Sequence, residues 1–286
     1  MTAVLDPVRA RRFEVSGTPA LVLGGVVVAL AVVAAVWPEL LASQPPDAVD
    51  PLGALAPPSG THPFGTDQLG RDVYARVVHG ARVSLMIGAG ATGAAVAVGG
   101  LLGVLAAAAG GLAEALVMRV TDVFLALPGL LLALLVVAIV GPGSLNATIA
   151  IAVSMTPGLL RVARGQALLV RDSDYVRAAI TFGLRRSTVY MRHLVPNALP
   201  PVLVLAMVNV GTAIIAGASL SFLGLGPRPP VPEWGAMLAE SRDFLDTAWW
   251  AAVFPGLAIT VTVLAVNVVG RDVQRRLDGR RPGGRR

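Results

Sequence analysis

The 286-residue sequence contains no cysteine and no lysine. Without cysteine, the chain cannot build a disulfide framework, a thiolate zinc site or a cysteine nucleophile. Without lysine, it cannot form a Walker A phosphate loop, because the lysine of that motif contacts the β- and γ-phosphates. If the protein depends on ATP, another subunit must therefore hydrolyse the nucleotide.

Charge is also scarce. Only 14% of the residues are charged, whereas 55% are hydrophobic and the mean hydropathy is +0.72. Soluble domains carry about 25% charged residues, and disordered chains combine low hydrophobicity with high charge. The composition therefore excludes both an ordinary soluble globular protein and a disordered chain, and it indicates a protein surrounded by lipid.

Six apolar segments approach the length of roughly 20 residues that a helix needs to cross a bilayer. They are residues 19–37, about 83–109, about 120–140, about 145–160, about 199–223 and about 248–270. The first is interpreted as an uncleaved anchor, because its apolar run exceeds the core of a signal peptide. Pro128, Pro157 and Pro255 lie inside spans and predict kinks or broken helices. The predicted fold class is an all-α polytopic membrane protein with about six transmembrane helices.

The distribution of arginine predicts the orientation. With the N-terminus inside, three of the 23 arginines lie in the N-terminal tail, one before span three, seven between spans four and five, and seven in the C-terminal tail. Only five lie in the outer segments. Because inner loops carry the excess of arginine and lysine, both termini are predicted to be cytoplasmic. The predicted segments are an N-terminal tail at 1–18, the first span at 19–37, an outer loop at 38–82, a membrane core at 83–270 with a cytoplasmic loop at 163–198 and an outer loop at 224–247, and an arginine-rich tail at 271–286.

The basic residues and the few candidate ligands exclude several functions. The arginines flank spans and form no recognition motif, so nucleic-acid binding is not predicted, although the C-terminal tail could touch anionic lipid. His62, His79 and His193 stand in no ligand spacing, so no metal site is predicted, and no catalytic motif indicates a membrane enzyme. An ion-driven carrier usually shows a buried acidic or histidine relay. Asp122 near the end of span three forms no such chain.

Span two is rich in small residues, with Gly99 and Gly103 in GxxxG spacing. In lipid, small residues let helices approach closely, where the hydrophobic effect does not drive their association. This spacing favours packing within the helix bundle of the chain itself. A subunit interface is the alternative, and both uses are compatible.

The stretch Arg171–Pro201 interrupts two spans on the arginine-rich side. Asp174–Phe182 is predicted to be a short helix, and Asp172 or Asp174 can cap its start. Gly183 is expected to end it with a positive φ or a tight turn. The next segment predicts a second short helix over Arg185–Leu194, before the prolines that mark the entry to span five. Two short helices at an angle would form a compact knob.

The knob resembles the EAA loop of permeases in bacterial ATP-binding-cassette importers. In that pattern Glu-Ala-Ala is followed by three residues, a glycine, and later a hydrophobic residue and Leu-Pro. Ala178, Ala179 and Gly183 match the pattern, and Pro196 falls at its proline. Arg177 replaces the glutamate, which is a departure from the family. His193 and Val195 stand at the hydrophobic and leucine positions.

Two further stretches are similar to permeases for peptides and nickel. HPFGTDQLGRDVYARVVHGARVSLMIG, at 62–88, resembles the segment before the second span, and SFLGLGPRPPVPEWGAML, at 221–238, resembles the segment after the fifth. The resemblance extends from His62 to about Asp278 and is strongest to the C-type permease subunit of dipeptide and oligopeptide systems. The outer motif residues are Gly65, Thr66, Asp67, Gly70, Arg71, Asp72, Trp234 and Gly235.

The resemblance implies a type I importer permease of the bacterial inner membrane that is not an enzyme and holds no cofactor. It implies a homologous second permease, two cytoplasmic ATPase subunits and an extracytoplasmic substrate-binding protein as partners. The substrate implied is a dipeptide or oligopeptide. Alternatives are nickel or another small solute and, less favoured, a stand-alone secondary carrier. The implied ATPase-coupling residues are Tyr175, Arg177, Ala178, Ala179, Gly183, Arg186, Ser187, Tyr190, His193 and Pro196.

Overall fold

The computed structural model describes residues 18–278, and within that range the chain folds into α-helices joined by loops and turns. The helices are α1 (Thr18–Val36), α2 (Val73–Ala109), α3 (Gly111–Leu125), α4 (Gly129–Val140), α5 (Ser144–Arg171), α6 (Asp174–Thr181), α7 (Arg186–Val189), α8 (Val195–Phe222), α9 (Trp234–Ser241) and α10 (Trp250–Asp278). No strand forms in this range, where one isolated β-bridge pairs Thr66 with Asp72. The all-α prediction is confirmed. The tail arginines at 9, 11, 12, 280, 281, 285 and 286 lie outside the described residues.

Five helical segments are long and apolar enough to cross a membrane, and α3 with α4 makes a sixth if the bent pair is one span. Three of them run further than hydropathy indicated. Helix α2 begins at Val73, ten residues before the predicted start, because the Asp72 carboxylate accepts a hydrogen bond from the Ala75 amide at 2.8 Å and caps it. Helix α5 continues through Pro157 to Arg171, and α10 continues through Pro255 to Asp278.

The third span is broken rather than kinked. Helices α3 and α4 meet at 92° across the residues before Gly129. Pro128 lacks an amide hydrogen and disfavours the helical conformation of the residue before it, so the helix ends and restarts there. The prediction of a kink or a break is confirmed at this proline, whereas α5 and α10 continue through Pro157 and Pro255.

The knob differs from its prediction in two details. Ser173, not an aspartate, occupies the N-cap of α6 and no side chain caps the helix, so the capping prediction was wrong. The second short helix does not stand alone, because α7 passes through a π-helical turn, Tyr190–Leu194, directly into α8. The ring of Pro196 crowds the carbonyl four residues earlier, which lies in this turn, and the wider π geometry accommodates it.

Helices α2 and α5 approach each other closely and form the centre of the bundle. A Cβ placed at Gly99 would lie 2.8 Å from the Thr156 carbonyl, and one placed at Gly103 would lie 2.8 Å from the Ala163 Cβ. The two glycines therefore serve packing within the chain, as their spacing favours. Helix α8 lies against both of these helices, and α10 packs on α8.

The bundle has two distinct ends. At the motif end, comprising 38–72 and 223–249, an apolar cluster joins Ala34, Val73, Trp234 and Trp250. At the knob end, comprising 109–119 and the knob at 172–194, another cluster joins Val104, Ala167, Leu194 and Ala198. Helix α1 begins and α10 ends on the knob side, as the contact of Gly24 with Val268 indicates. The segments predicted to be inside and outside thus lie at opposite ends of the bundle.

Candidate functional site

Asp67 organises the loop that precedes α2. Its Oδ1 accepts hydrogen bonds from the amides of Leu69 (2.9 Å) and Arg71 (3.0 Å), and its Oδ2 accepts from Arg71 Nε at 2.6 Å. Gly70 has φ +74°, and a Cβ there would collide with the Asp50 carbonyl. The loop therefore requires both this carboxylate and this glycine.

Two buried arginines link the loop to α9. Arg71 Nη2 lies 2.7 Å and Arg76 Nη2 lies 3.2 Å from Glu240 Oε2, while Arg76 Nε lies 3.5 Å from Asp67 Oδ2. Arg71 is 3% exposed and Arg76 is 1% exposed. Buried charges are tolerated only when they are paired and hydrogen-bonded. This four-residue set, Asp67, Arg71, Arg76 and Glu240, is called the ionic cluster below.

Thr66 makes three further hydrogen bonds that hold the loop. The Thr66 hydroxyl accepts from the Ala56 amide at 2.8 Å and donates to the Gly53 carbonyl at 2.5 Å, while Trp250 Nε1 donates to the Thr66 carbonyl at 3.0 Å. Gly65, with φ +70°, lets the Trp250 indole approach, since a Cβ there would lie 2.6 Å from Nε1.

Asp72 has two partners. Besides capping α2, it lies 3.0 Å from His62 Nδ1, which must carry the proton to donate to it. His62 is thus engaged in a hydrogen bond, and among residues 18–278 no group of three potential ligands could hold a metal ion.

The second motif segment is buried in the same way. The Glu233 carboxylate accepts from the Gly235 and Ala236 amides, at 3.0 and 2.8 Å, and from the Ser84 hydroxyl at 3.0 Å. Trp234 Nε1 donates to the Val77 carbonyl at 2.8 Å. A Cβ at Gly235 would collide with the backbone of Ala218, so this glycine lets α9 touch α8.

The outer motif residues therefore form a buried scaffold rather than an exposed contact surface. Sequence reasoning missed four of its members: Arg76, Glu233, Glu240 and Trp250. Glu233 caps α9, but glutamate is not among the preferred N-cap residues, so this role carried no sequence signal. No sequence signal pairs Glu240 with arginines more than 160 positions away.

The knob presents one face of α6 and buries the other. Val176 is fully buried, and Ala179 and Ile180 are half-buried on the same side. Tyr175, Arg177 and Ala178 are exposed on the opposite side. Gly183 has φ +86°, as expected for the residue that ends this helix, and a Cβ placed on it would meet no atom within 4 Å.

The remaining predicted coupling residues lie on the helical segment that follows. Arg186 begins α7 and is exposed, and Ser187 follows it in the same turn. Tyr190 and His193 lie in the π turn, where the His193 ring stands 6.1 Å from the Tyr175 ring, edge to face. Pro196 lies exposed in the first turn of α8. The structure thus gathers the predicted residues into the knob, except Pro196, which directly follows it at the start of α8.

Ion pairs tie α3 to the last turns of α5. Asp122 pairs with Arg161, and both side chains are half-exposed. Glu114 Oε1 accepts from Arg164 Nε at 2.6 Å. Arg171 Nη1 donates to the Ala107 carbonyl at 2.6 Å, which fixes the end of α5 to the end of α2. These contacts connect the base of the knob to two other helices.

A cavity of about 700 Å³ opens between α2, α3 and α5. Its walls are apolar except for the hydroxyls of Thr121, Thr148 and Thr156. Each hydroxyl donates to the carbonyl four residues earlier in its own helix, at 2.7 to 2.8 Å. Each hydroxyl keeps acceptor capacity, so the walls offer a peptide, which carries a donor and an acceptor at nearly every residue, three acceptors and no free donor.

Comparison with known proteins identifies relatives over nearly the whole chain. Residues 99–281, which include the knob and α9, match the family model described as a binding-protein-dependent transport system inner membrane component. A probable D,D-dipeptide transport system permease protein of Escherichia coli is 38% identical, over 99% of this chain and 97% of that protein.

Two other relatives carry similar names. A dipeptide transport system permease protein of Alkalihalophilus pseudofirmus is 38% identical, over 90% of this chain and 84% of the relative. A di/tripeptide transport system permease protein of Pseudomonas aeruginosa is 43% identical, over 75% of this chain and 71% of the relative. The similarity thus extends beyond the family match into the motif loop and α1.

Proposed function

The chain belongs to the family of inner-membrane components of binding-protein-dependent transport systems, and we propose that it serves as the permease subunit through which short peptides cross the membrane. It is a multi-pass inner-membrane protein of an ATP-binding-cassette importer family. The observation that carries the peptide assignment is the near-full-length similarity to a permease named for D,D-dipeptides, supported by relatives named for dipeptides and di/tripeptides.

The motor of this importer would be a separate pair of cytoplasmic ATPase subunits. The chain contains no lysine and hence no Walker A loop. The knob is suited to receive their force because it joins the end of α5 to the start of α8. A displacement of the knob would therefore move two helices of the bundle centre together.

Helix continuity would carry this movement across the membrane. From Arg186 the chain stays helical through the π turn to Phe222. Near its far end α8 touches α9 at the contact of Ala218 with Gly235. ATP binding can shift the equilibrium between two conformations of the permease only through contacts that differ between those conformations. The proposed contacts are those between the knob residues and the ATPase.

The proposed topology places the knob and both termini in the cytoplasm, as the arginine distribution predicts. The motif end would face outward and receive the substrate-binding protein. The motif end offers an apolar contact for this protein, because Leu52 is fully exposed in the loop that the ionic cluster supports. A homologous second permease would complete the path, because the mainly apolar cavity of this chain offers a peptide only three threonine hydroxyls as polar partners.

Uptake by whole cells tests the peptide assignment. A strain that lacks its own dipeptide permeases would express this chain with its proposed partner subunits, and uptake of a radiolabelled dipeptide would be measured. We expect uptake that requires this chain and stops when the partner ATPase loses its Walker A lysine. Uptake of nickel without uptake of any di- or tripeptide would instead support the alternative substrate.

A further inference from the structure

The break in the third span leaves polar backbone groups uncovered. The carbonyls of Leu125, Ala126 and Leu127 and the amides of residues 129–131 make no hydrogen bond within the described part of the chain. Every residue from 122 to 131 is exposed. The break therefore presents backbone acceptors and donors together at the surface of this chain.

The break lies within the bilayer. Asp122, one turn before it, pairs with Arg161, which stands ten residues before the end of α5 at Arg171. A rise of about 1.5 Å per residue places Arg161 roughly 15 Å along α5 from the knob end. At such depth, free backbone groups are tolerated only where they contact protein or line a water-filled cavity. The break therefore faces a path that contains water rather than lipid chains.

The cavity between α2, α3 and α5 adjoins this break. Phe124, in the last turn of α3, lines it, and Ala94 on α2 and Leu160 on α5 line it from the other sides. Its volume of about 700 Å³ falls within the range of about 300–1,000 Å³ that is typical of small-molecule sites. The described lining residues include no ionisable side chain.

This lining favours one class of side chain. An apolar group gains free energy by leaving water for such walls, whereas an ionised group would lose its hydration without gaining a partner. The walls offer three acceptors and no free donor, and the break next to them offers both kinds of backbone group. Apolar walls beside a few polar groups are the usual composition of a ligand pocket.

We propose that this cavity is the subsite that receives an apolar side chain of the transported peptide, while the break at Pro128 faces the peptide backbone. The inference rests on the proposed function and deepens it, because it names the substrate class as short peptides with apolar side chains. A lipid acyl chain is not the occupant, since the adjoining break cannot face hydrocarbon.

The test fills the cavity and compares two dipeptides. The full-length chain is expressed with its proposed partner subunits, and uptake is normalised to the amount of chain in the membrane. Ala94→Phe should lower the uptake of leucyl-leucine relative to glycylglycine by about tenfold or more, as expected when a hydrophobic pocket loses room for its ligand. The substrate-binding protein is the same throughout, so a change in this ratio reports the permease.

Two further measurements separate the cavity from a general defect. Ala89→Phe makes the same change at an exposed position of α2 outside the cavity lining, and it should leave the ratio unchanged. Phe124→Ala enlarges the cavity and should raise the uptake of tryptophyl-tryptophan relative to leucyl-leucine. In the Ala94→Phe variant, the ratio of lysyl-glycine to glycylglycine should stay as in the unmodified chain, because an ammonium group does not enter the cavity.

The outcomes distinguish this inference from the proposed function. If dipeptides are transported but Ala94→Phe leaves the ratio of leucyl-leucine to glycylglycine unchanged, or Ala89→Phe lowers it equally, the inference is overturned and the proposed function stands. Labelling of residues 116–124 by a phospholipid with a photoactivatable acyl chain, in proteoliposomes of the assembled transporter, would also overturn it. If the unmodified assembly moves no dipeptide, the proposed function itself fails.

Discussion

Charged residues are used differently at the two ends of the bundle. At the motif end, the arginines of the ionic cluster are almost fully buried, and each lies close to a carboxylate. At the knob end, Arg177, Arg185 and Arg186 are exposed on a small protruding element. Desolvated charges that are paired at several points give one rigid geometry. Solvated and unpaired charges remain available to a partner.

The family motifs therefore have different structural roles at these two ends. Gly65, Gly70 and Gly235 are required because neighbouring atoms leave no room for a side chain. Gly183 has open space around it and is required only for its backbone conformation. We conclude that the motifs at the motif end build a scaffold, whereas the motif of the knob presents a surface. Variants at the motif end should lower stability, and variants in the knob should lower uptake while stability is kept.

The largest effect on stability is expected from Asp67→Ala. This change leaves the buried arginines of the ionic cluster with one carboxylate fewer and removes the oxygen that accepts from two loop amides. Removing one partner of a buried ion pair costs about 3–5 kcal/mol. Thermal unfolding in detergent, followed by tryptophan fluorescence, measures the loss, because all four tryptophans lie at or beside this end.

The matched control for Asp67→Ala is Asp243→Ala, which removes the same charge from an exposed pair with Arg242. Exposed pairs contribute about 0.2–1 kcal/mol, so this variant should melt close to the unmodified protein. Equal melting temperatures for the two variants would show that burial of the ionic cluster does not stabilise the motif end.

A smaller loss is expected from Gly103→Val in the bundle centre. The new side chain would meet the Ala163 Cβ and push α5 away from α2. Overpacking of this kind costs about 1–3 kcal/mol. Gly93→Val is the control on the same helix, because a Cβ at Gly93 meets no atom within 4 Å. Thermal unfolding of both variants should separate the steric cost from the helix propensity that they share.

Gly183→Val should leave the bundle nearly as stable as before but abolish uptake. Valine in the left-handed region costs about 1–2 kcal/mol, which is confined to the turn of the knob. Gly183→Asn should keep substantial uptake, since asparagine enters this region more readily. Dipeptide uptake, normalised to the amount of chain in the membrane, distinguishes them. Normal uptake by the valine variant would contradict a coupling role for this turn.

The smallest effect is expected from Asp122→Asn. Its pair with Arg161 is half-exposed, so a double-mutant cycle with Arg161→Gln should give a coupling energy of about 1 kcal/mol or less. The pair of Glu114 with Arg164 is more buried and should give a larger value in the same cycle. The reverse order would show that burial does not set the strength of the two pairs that tie α3 to α5.

Some local features were predictable because their causes are local. The break at Pro128 follows from the missing amide hydrogen, and the positive φ of Gly183 follows from the freedom of glycine. Asp72 was predicted as a motif residue but not as the cap that extends α2 to Val73. The polar residues Arg76 and His79 had lowered the hydropathy there, although they lie on a helix.

Other features depended on residues far apart in the chain. The second knob helix was expected to stand alone, yet it joins α8, because a π turn absorbs the conflict that Pro196 creates. The ionic cluster pairs Arg71 and Arg76 with Glu240 near the end of α9. From the sequence alone, each of these charged residues is indistinguishable from an ordinary loop residue, because the partner that neutralises it is not known.

Hydropathy and arginine placement, read along the chain, were enough to indicate helices in lipid, their number and their predicted direction. These properties follow from the transfer of each segment between water and lipid, which depends on its own composition. The roles of the motif residues required the packed bundle. Burial and pairing belong to sets of residues that come together only when α2, α8, α9 and α10 pack, so the scaffold at one end and the exposed knob at the other became distinguishable only there.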